Sequence, residues 1–524
     1  MPPLAVELAA PAERVHRLVA EELGAEPDPA DRHKLVILVR FPTGQPTPVR
    51  LRVEGSGGEA RTRVLLETEA TPHVPYFSWF MGPILRSADR RALAWLERAL
   101  RAAAAGEALP PPPKRPSLAP PAPFTAPQAV SLATVCAVTA VLVFGSALLS
   151  QNAGYVKDAF RVSDAALDTS LAVSRVGVLI ALVAAAMADR KGRRTLILVS
   201  VTGICLANAV AAVAPNLAVF TVGQILMRGF ANAGLIVTGI AAIEEAPEGA
   251  RAYSLALLGL AGGFGYGFAV ALLPAADFGL QAWRISFAVS AATVLLLPSF
   301  ARRLTETTRY TGLAARKAQR GRLGEVFDPS YGGRFWVLVI ATFLFAVYTA
   351  PSSQLTNDYL RQTRGFSGFD ITVFRAITQG FPGFVGIAIG GRLAETRGRR
   401  PVAATALFLG TAAQMVFFLY GGVVLWVTSA VAIVLGGIAA PALGAFNGEM
   451  FPTEIRGTAN AYLIVAGVAG SACGLLFTGR LSDQIGRGEA IALTGIASLL
   501  ASLLVLRLPE TADRALDEVS PSEV

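Results

Sequence analysis

Charged side chains are scarce in this chain of 524 residues. Asp, Glu, Lys and Arg make up only 16% of it, against about a quarter in soluble globular proteins. Two long stretches, 125–156 and 401–447, contain none of these residues. Because about 20 apolar residues span a bilayer as a helix, the second stretch can hold two spans joined by a turn at Tyr420-Gly421-Gly422. The composition therefore excludes a soluble globular protein and predicts an integral membrane protein.

Cysteine and histidine are also rare, which argues against a disulfide framework or a metal centre. The three cysteines, Cys136, Cys205 and Cys473, lie in apolar segments, and we interpret them as small packing residues. The three histidines all lie in the first 73 residues and lack the spacing of metal ligands. We therefore expect no metal site and no cofactor.

Signals for secretion and for nucleotide chemistry are missing as well. Residues 1–22 lack the basic start and apolar core of a cleavable signal peptide, so the first apolar segment is expected to direct insertion. No Walker lysine motif supports ATP-driven transport. The run Gly263-Phe264-Gly265-Tyr266-Gly267 follows no strand and lies in an apolar segment, which favours close helix packing over nucleotide binding.

Composition divides the chain into a soluble start, a linker and two apolar regions. The linker contains four consecutive prolines at 110–113, which favour a semi-rigid polyproline conformation. The predicted segments are a small α+β domain over 1–106, the linker over 107–125, six-helix bundles over 126–301 and 335–508, a basic loop over 302–334, and a tail over 509–524.

The first hundred residues have the pattern of a small α+β domain. Alternating apolar residues predict strands at 4–8, 34–41, 49–53 and 61–69, and helices are predicted over 12–23 and about 87–104. This order resembles a shortened helix-grip (START-like) domain, a fold that can enclose a small apolar ligand. Ligand sensing and a purely structural role both stay open.

Twelve apolar segments follow, and each is predicted to cross the membrane as a helix. The predicted spans are 128–150, 166–188, 195–214, 217–243, 252–274, 282–300, 335–353, 371–391, 401–420, 423–447, 458–479 and 489–507.

Basic residues gather in three loops, at 190–194, 302–334 and 397–400. If the spans alternate, all three loops lie on one side, which the positive-inside rule makes cytoplasmic. Both termini and the N-terminal domain then face the cytoplasm. The net charge of +9 thus reflects membrane topology, and no nucleic acid partner is expected. Usage rich in Ala and Arg suggests a bacterial inner membrane.

Three loop motifs occur twice in register, which indicates a duplicated six-helix unit. After spans 2 and 8 stand Asp189-Arg190-Lys191-Gly192-Arg193-Arg194 and Glu395-Thr396-Arg397-Gly398-Arg399-Arg400, with their acidic residues 206 positions apart. The motif Glu-x-x-Pro-x-x-x-Arg begins at Glu244 and again at Glu449, 205 positions later. After spans 6 and 12 a Glu-Thr pair begins at Glu306 and Glu510, 204 positions apart.

Over 126–515 this pattern resembles the major facilitator superfamily. The loop G-x-x-x-D-R-x-G-R-R is the most specific of its motifs, and the other two are similar to those of sugar porters and metabolite symporters. Two positions depart from the pattern: Ala185 replaces a glycine, and Glu395 replaces an aspartate. The resemblance implies two repeats that rock about a central substrate site to give alternating access.

Charged residues of the duplicated motifs are candidates for a cytoplasmic gate, because acids and bases there can pair in one state and separate in another. The alternative is that they only anchor loops and fix topology. The candidates are Asp189, Arg190, Arg193, Glu244, Arg251, Glu306, Glu395, Arg399, Glu449, Arg456 and Glu510.

Ionisable residues inside spans are costly and therefore candidates for substrate binding. Arg175 in span 2 and Arg228 in span 4 could hold an anionic group through a fork of donors. Alternatively, Arg175 pairs with Asp168 or extends towards the membrane surface. A third arginine, Arg375, is expected at the outer rim of span 8. Uncharged candidates are Gln151, Asn152, Gln224, Asn232, Gln379 and Asn447.

The sequence thus predicts a secondary transporter of a small polar, anionic metabolite, and not an enzyme. Its expected partners are the lipid bilayer and a small-molecule substrate, with a co-transported ion left open and a monomer as the expected state. Efflux of amphiphilic drugs is the alternative within transport. A sensor or enzyme in residues 1–106, with the membrane part as its anchor, is a further alternative.

Overall fold

The computed structural model describes residues 4–28, 34–39, 47–55, 62–68, 74–113, 124–178, 180, 192–247, 250–306, 329–450 and 453–510. The N-terminal part contains a five-stranded antiparallel sheet in the order β1-β5-β4-β3-β2. Its strands are β1 (Leu4–Leu8), β2 (Glu26–Pro27), β3 (Leu35–Val39), β4 (Thr47–Gly55) and β5 (Thr62–Thr68). The same part of the chain contains the helices α1 (Ala12–Glu21) and α2 (Ser78–Ala105).

Alternate residues of the strands form the core of this sheet with the two helices. Val6 and Val64 pair in register and are 1% and 0% exposed, and Leu96 of α2 belongs to the same cluster. The four predicted strands are present, with ends shifted by one or two residues. The short β2 was not predicted, because two residues are too few to show an alternating pattern.

Helix α2 begins at Ser78, nine residues before the predicted start, even though Pro83 lies inside it. The residues just before α2 pack against the membrane helices, which explains the difference. The Tyr76 hydroxyl lies 2.6 Å from the Ser299 hydroxyl and accepts a hydrogen bond from Arg303 Nη1 at 3.0 Å. These contacts hold the chain at the point where α2 starts, and no local sequence pattern reports them.

The remaining helices are apolar and form two halves, named here the first half (α3–α9) and the second half (α10–α17). They are α3 (Ala126–Phe160), α4 (Asp164–Val173), α5 (Arg193–Val213), α6 (Leu217–Glu245), α7 (Arg251–Ala271), α8 (Arg284–Ala292), α9 (Leu297–Arg303), α10 (Pro329–Gln354), α11 (Thr356–Gln362), α12 (Gly368–Arg375), α13 (Phe381–Arg397), α14 (Arg399–Leu419), α15 (Gly422–Glu449), α16 (Thr453–Ile485) and α17 (Arg487–Val505).

Within the described residues, ten helical segments are long and apolar enough to cross a membrane. They correspond to ten of the twelve predicted spans. The structure describes only the first part of predicted span 2, which comprises α4, the 3₁₀ turn Ser174–Gly177 and residues 178 and 180. The rest of this span lies outside the described residues. Predicted span 8 is divided into α12 and α13 by the π turn Ala376–Gly380, so neither helix is long enough alone. The total of twelve spans therefore stays a prediction.

Glycines allow the same close helix crossing in each half. A Cβ on Gly265 of α7 would lie 2.1 Å from the Ala140 carbonyl oxygen of α3. A Cβ on Gly470 of α16 would lie 2.2 Å from the Phe343 carbonyl oxygen of α10. Any larger residue would separate these backbones, which is why small residues mark helix contacts in membranes. The packing interpretation of the run Gly263–Gly267 is confirmed for Gly265, whereas Gly263 and Gly267 face no described atom within 4 Å.

Candidate functional site

The turn at Gly192, which follows predicted span 2, holds a carboxylate at the start of a helix. Gly192 has φ +86°, and a Cβ there would lie 2.4 Å from Glu306 Oε2. Glu306 Oε1 accepts a hydrogen bond from the Arg193 amide at 2.7 Å, where α5 begins. A negative charge at a helix N-terminus is stabilised by the unpaired amides and the helix dipole. Arg193 Nη2 in turn lies 3.4 Å from Glu244 Oε1.

The second half repeats this arrangement. Gly398 has φ +90°, and a Cβ there would lie 2.7 Å from Glu510 Oε2. Glu510 accepts hydrogen bonds from the Arg399 amide at 2.9 Å and the Arg400 amide at 3.1 Å, at the start of α14. We call the end of the bundle that carries Gly192 and Gly398 the motif end. The duplication predicted from the loops therefore appears as two equivalent carboxylate-capped helices.

These bonds at the motif end each join residues of the same half. Five of the predicted gate residues, Arg193, Glu244, Glu306, Arg399 and Glu510, take part in them. Asp189 and Arg190 lie outside the described residues. The side chains of Arg251, Glu395, Glu449 and Arg456 also lie outside them, although their backbones lie in helices. A gate role for the whole set stays a prediction.

Buried charges join the two halves at the opposite end of the bundle, named here the far end. Arg487, the first residue of α17, donates from Nη1 to Asp168 Oδ2 at 2.7 Å and from Nε to Asp358 Oδ2 at 2.9 Å. Its Nη2 lies 2.8 Å from Asp358 Oδ2 and 3.7 Å from Asp164 Oδ1. The side chains of Asp168 and Asp358 are fully buried. One guanidinium thus binds carboxylates from α4 and from α11.

A lysine and a second ion pair complete the far end. Lys157 Nζ lies 2.7 Å from Asp164 Oδ1 and 3.5 Å from Asp358 Oδ1. Arg361 of the second half donates to Asp158 of the first half, in a half-exposed position. The Gly368 amide of the second half also donates to Asp277 Oδ2 of the first half at 2.7 Å. The far end is therefore closed in this structure.

The sequence considered Asp168 only as a partner for Arg175, and the structure pairs it with Arg487 instead. Asp358 and Arg487 were missed because each adjoins a span and resembles a loop residue. The available signal was an ionisable side chain directly beside an apolar stretch, which is costly to bury unless it is paired. Distance along the sequence, 319 residues between Asp168 and Arg487, hides the partner.

Two arginines of the first half have no hydrogen-bond or ion-pair partner among the described residues. Arg175 lies in the 3₁₀ turn Ser174–Gly177, and a Cβ on Gly177 would lie 2.2 Å from the Ile225 carbonyl oxygen of α6, so this turn packs closely against the helix that carries Arg228. Within the described residues, neither guanidinium has a hydrogen bond or an ion pair, and the Nε of each is shielded from solvent. Because the turn that carries Arg175 packs closely against the helix that carries Arg228, the two like charges repel each other.

The uncharged candidates differ in how far their polar atoms are satisfied. Gln224 is 0% exposed, and neither atom of its amide has a hydrogen-bond partner in the described part of the chain. Asn152 donates to the Leu148 carbonyl one turn earlier, which leaves its Oδ1 without a partner there. Gln151 and Gln379 belong to a hydrogen-bonded group around Arg375. The side chain of Asn447 lies outside the described residues.

Arg375 is buried rather than exposed at a rim, and it links the halves. Its Nε donates to Asn357 Oδ1 at 2.7 Å, and its Nη1 donates to the Tyr266 hydroxyl and to Gln379 Oε1, each at 2.9 Å. Asn357 Nδ2 then donates to Gln151 Oε1 at 2.7 Å. Arg375 is 6% exposed, and no carboxylate of the described residues forms an ion pair with it.

The described residues contain no group of three or more His, Cys, Asp or Glu side chains arranged to hold a metal ion. The three far-end aspartates instead surround the guanidinium of Arg487.

The model of one protein family, described as Major Facilitator Superfamily, matches residues 132–390 and 371–522. The chain belongs to this superfamily. It is a membrane transporter, not an enzyme, as its relatives and structural neighbours also are. The transporter is 25% identical over 355 residues to a probable 4-methylmuconolactone transporter of Cupriavidus pinatubonensis, an alignment that covers 64% of this chain and 80% of that protein.

Solved structures share the fold of the transporter. The xylose transporter XylE from E. coli, in an inward-open conformation, aligns with a TM-score of 0.60 at 16% identity over 74% of this chain and 98% of its own. The human organic anion transporter MFSD10 aligns with a TM-score of 0.53 at 16% identity over 73% of this chain and 100% of its own. At this identity the likeness concerns the fold alone.

Proposed function

We propose that the transporter moves a small anionic metabolite across the membrane as a secondary active transporter. The observation that carries this proposal is a pair of partly buried arginines, Arg175 and Arg228, which have no partner among the described residues. A buried cation without a counter-ion is costly, and mutual repulsion adds to the cost. Binding of an anion relieves both costs, so an anionic substrate suits this site better than a neutral or cationic one.

A relative supports the same class of substrate. The curated relative is described as a 4-methylmuconolactone transporter, and that lactone carries a carboxylate. We infer that the substrate of this chain is an organic acid of similar size, bound by Arg175 and Arg228 with help from Gln224. We assign three further uncharged candidates to the same site: Gln151, Asn152 and Gln379.

Alternating access is proposed to proceed by rocking of the two halves. Arg487 binds carboxylates of both halves at the far end, whereas the described bonds at the motif end stay within one half. This pattern supports a state closed at the far end. With the basic loops on the cytoplasmic side, that state faces the cytoplasm, and the two termini lie there too. The same proposal includes symport with an ion and a location in a bacterial inner membrane.

The test is uptake into proteoliposomes that contain the purified full-length chain. Three labelled probes are compared: 4-methylmuconolactone as its carboxylate, its neutral methyl ester, and the larger lipophilic cation tetraphenylphosphonium. The proposal expects uptake of the carboxylate, with little uptake of the ester. Transport of the cation instead would support amphiphile efflux and overturn the proposed substrate class.

Imposed gradients then identify the coupling. An inward proton gradient should accelerate carboxylate uptake if a proton is co-transported, and a dissipated gradient should remove the acceleration. Equal rates with and without any ion gradient would contradict secondary active transport and leave a uniporter.

A further inference from the structure

The hydrogen bonds around Arg375 have directions that the chemistry of arginine fixes. A guanidinium donates and cannot accept, so the atoms that face Arg375 must be acceptors. The facing amide atoms are therefore Asn357 Oδ1 and Gln379 Oε1. Since Asn357 turns its oxygen to Arg375, its NH₂ group must point to Gln151, where it finds Oε1 at 2.7 Å.

With these directions each side-chain oxygen of the group already accepts a hydrogen bond, whereas several of its donors have no partner among the described residues. Gln151 Nε2 is buried without a partner among the described residues. The Tyr266 oxygen accepts from Arg375, so its own proton is free to be donated. In the described part of the chain, Arg375 Nη2 and Gln379 Nε2 also form no hydrogen bond. Buried donors that lack acceptors cost free energy, which an incoming acceptor recovers.

The group also carries a positive charge that no described carboxylate neutralises. Arg375 is 6% exposed, Asn357 is 2% exposed and Gln151 is 1% exposed, so water screens this charge weakly. Arg487, another buried arginine of the second half, is surrounded by aspartates. This is the usual arrangement, in which a buried charge is paired with opposite charges. The contrast indicates that Arg375 is kept for a ligand that supplies the missing negative charge.

The group spans both halves of the transporter. Gln151 of α3 and Tyr266 of α7 belong to the first half, whereas Asn357 of α11, Arg375 of α12 and Gln379 belong to the second half. We propose that these five side chains form an anion site that binds the carboxylate of the substrate and is complete only when the far end is closed. The inference rests on the proposed function and adds Arg375 as the binding cation of the second half.

Binding to purified protein tests this site. The melting temperature and calorimetric affinity of the full-length chain are measured with three anionic probes: acetate, benzoate and 4-methylmuconolactone. The methyl ester of the lactone is the neutral control. Wild-type protein should bind at least one anion and prefer it to the ester. Arg375→Gln should bind that anion roughly 10- to 150-fold more weakly, the effect expected for loss of a hydrogen bond to a charged group.

Other variants separate a ligand role from a structural one. Arg375→Lys keeps the charge but loses the fork, so an intermediate affinity is expected. Tyr266→Phe removes one donor from the first half and should weaken binding by roughly 2- to 12-fold, the range for one neutral hydrogen bond. Arg284→Gln is the matched control, because this arginine binds only carbonyls and an amide of its own half and should leave affinity unchanged.

The possible outcomes separate the two proposals. Wild-type affinity in folded Arg375→Gln and Tyr266→Phe, combined with loss of binding in Arg175→Gln, would overturn the Arg375 site and leave the proposed function standing. If Arg375→Gln fails to fold, Arg375→Lys and Tyr266→Phe decide by the same criterion. No binding of any of the three anions to wild-type protein would overturn both.

Discussion

At the scale of single residues, Arg487 has the most demanding position in the transporter. All three nitrogens of its guanidinium contact aspartate oxygens, and Nη1 also reaches the Ser482 hydroxyl at 3.3 Å. Asp168 and Asp358 depend on it, since both are fully buried. A planar guanidinium binds two carboxylates in a fixed geometry, which the flexible ammonium of a lysine does not provide.

Substitution Arg487→Gln should open the far end. It leaves two carboxylates buried with too little positive charge, and breaking a buried pair costs roughly 3–5 kcal/mol. Spin labels at Arg161→Cys and Asp483→Cys, two exposed positions of opposite halves, should then report a longer distance.

The matched control is Arg361→Gln, which removes a partly exposed ion pair between the halves. Because Arg361 and Asp158 are 28% and 32% exposed, the change should be small, within about 0–1 kcal/mol. Equal distance distributions in wild type and Arg487→Gln would contradict a closure held by buried charge.

Residue types could be predicted from the sequence better than residue partners. Arg175 and Arg228 stand out because a charge inside an apolar span is unusual, and the structure leaves both unpaired among the described residues. Gln151 and Gln379 were among the predicted candidates, but their grouping around Arg375 could not be predicted. Its members lie up to 228 positions apart, and hydrogen-bond direction, which makes it a donor site, has no sequence pattern.

At the scale of elements, glycine spacing on α7 determines how closely two helices approach. Gly265 meets the Ala140 carbonyl of α3, whereas a Cβ on Gly263, two positions earlier, would meet nothing within 4 Å. An α-helix has 3.6 residues per turn, so Gly263 and Gly265 lie on different faces of α7. The sequence indicates that α7 has a packing face but does not say which of the two glycines lies on it.

The pair gives a controlled test of packing. Gly265→Ala should destabilise the transporter by roughly 1–3 kcal/mol, the usual cost of adding atoms to a close contact. Gly263→Ala should leave the melting temperature unchanged or slightly higher, because alanine favours a helix by up to about 1 kcal/mol over glycine. Thermal unfolding in one detergent measures both. Equal melting temperatures would contradict the crossing of α3 and α7.

Irregular turns are the elements that the sequence misses. The 3₁₀ turn Ser174–Gly177 and the π turn Ala376–Gly380 lie next to Arg175 and Arg375. A hydropathy value averaged over a window of residues cannot show a local change in the number of residues per helical turn. Such turns often occur at functional positions, and here each carries or adjoins a candidate binding arginine.

At the scale of the whole molecule, the N-terminal domain is attached to the first half by a small contact. Tyr76 binds Ser299 and Arg303, and the Phe77 ring centroid lies 6.5 Å from that of Phe264. The duplicated loops could predict the two halves, because matched motifs repeat about 205 positions apart. The docking contact could not be predicted, since it joins the soluble part to helices more than 180 residues away.

Deletion of residues 1–110 should leave transport intact in the reconstituted protein, because the arginines and the contacts between halves all lie beyond residue 150. A small decrease in melting temperature is expected from the lost contacts of Tyr76. Tyr76→Phe in the full chain isolates that decrease. A folded deletion variant without uptake would mean that the N-terminal domain takes part in transport.

Uptake by Arg175→Gln tests the central claim most directly. Initial rates of 4-methylmuconolactone uptake are compared in proteoliposomes for wild type, Arg175→Gln and the exposed control Arg161→Gln, at equal amounts of folded protein. An unpaired buried cation that binds the substrate predicts a rate roughly 10- to 150-fold lower for Arg175→Gln at low substrate concentration, with the control unchanged. An Arg175→Gln rate equal to wild type would contradict it.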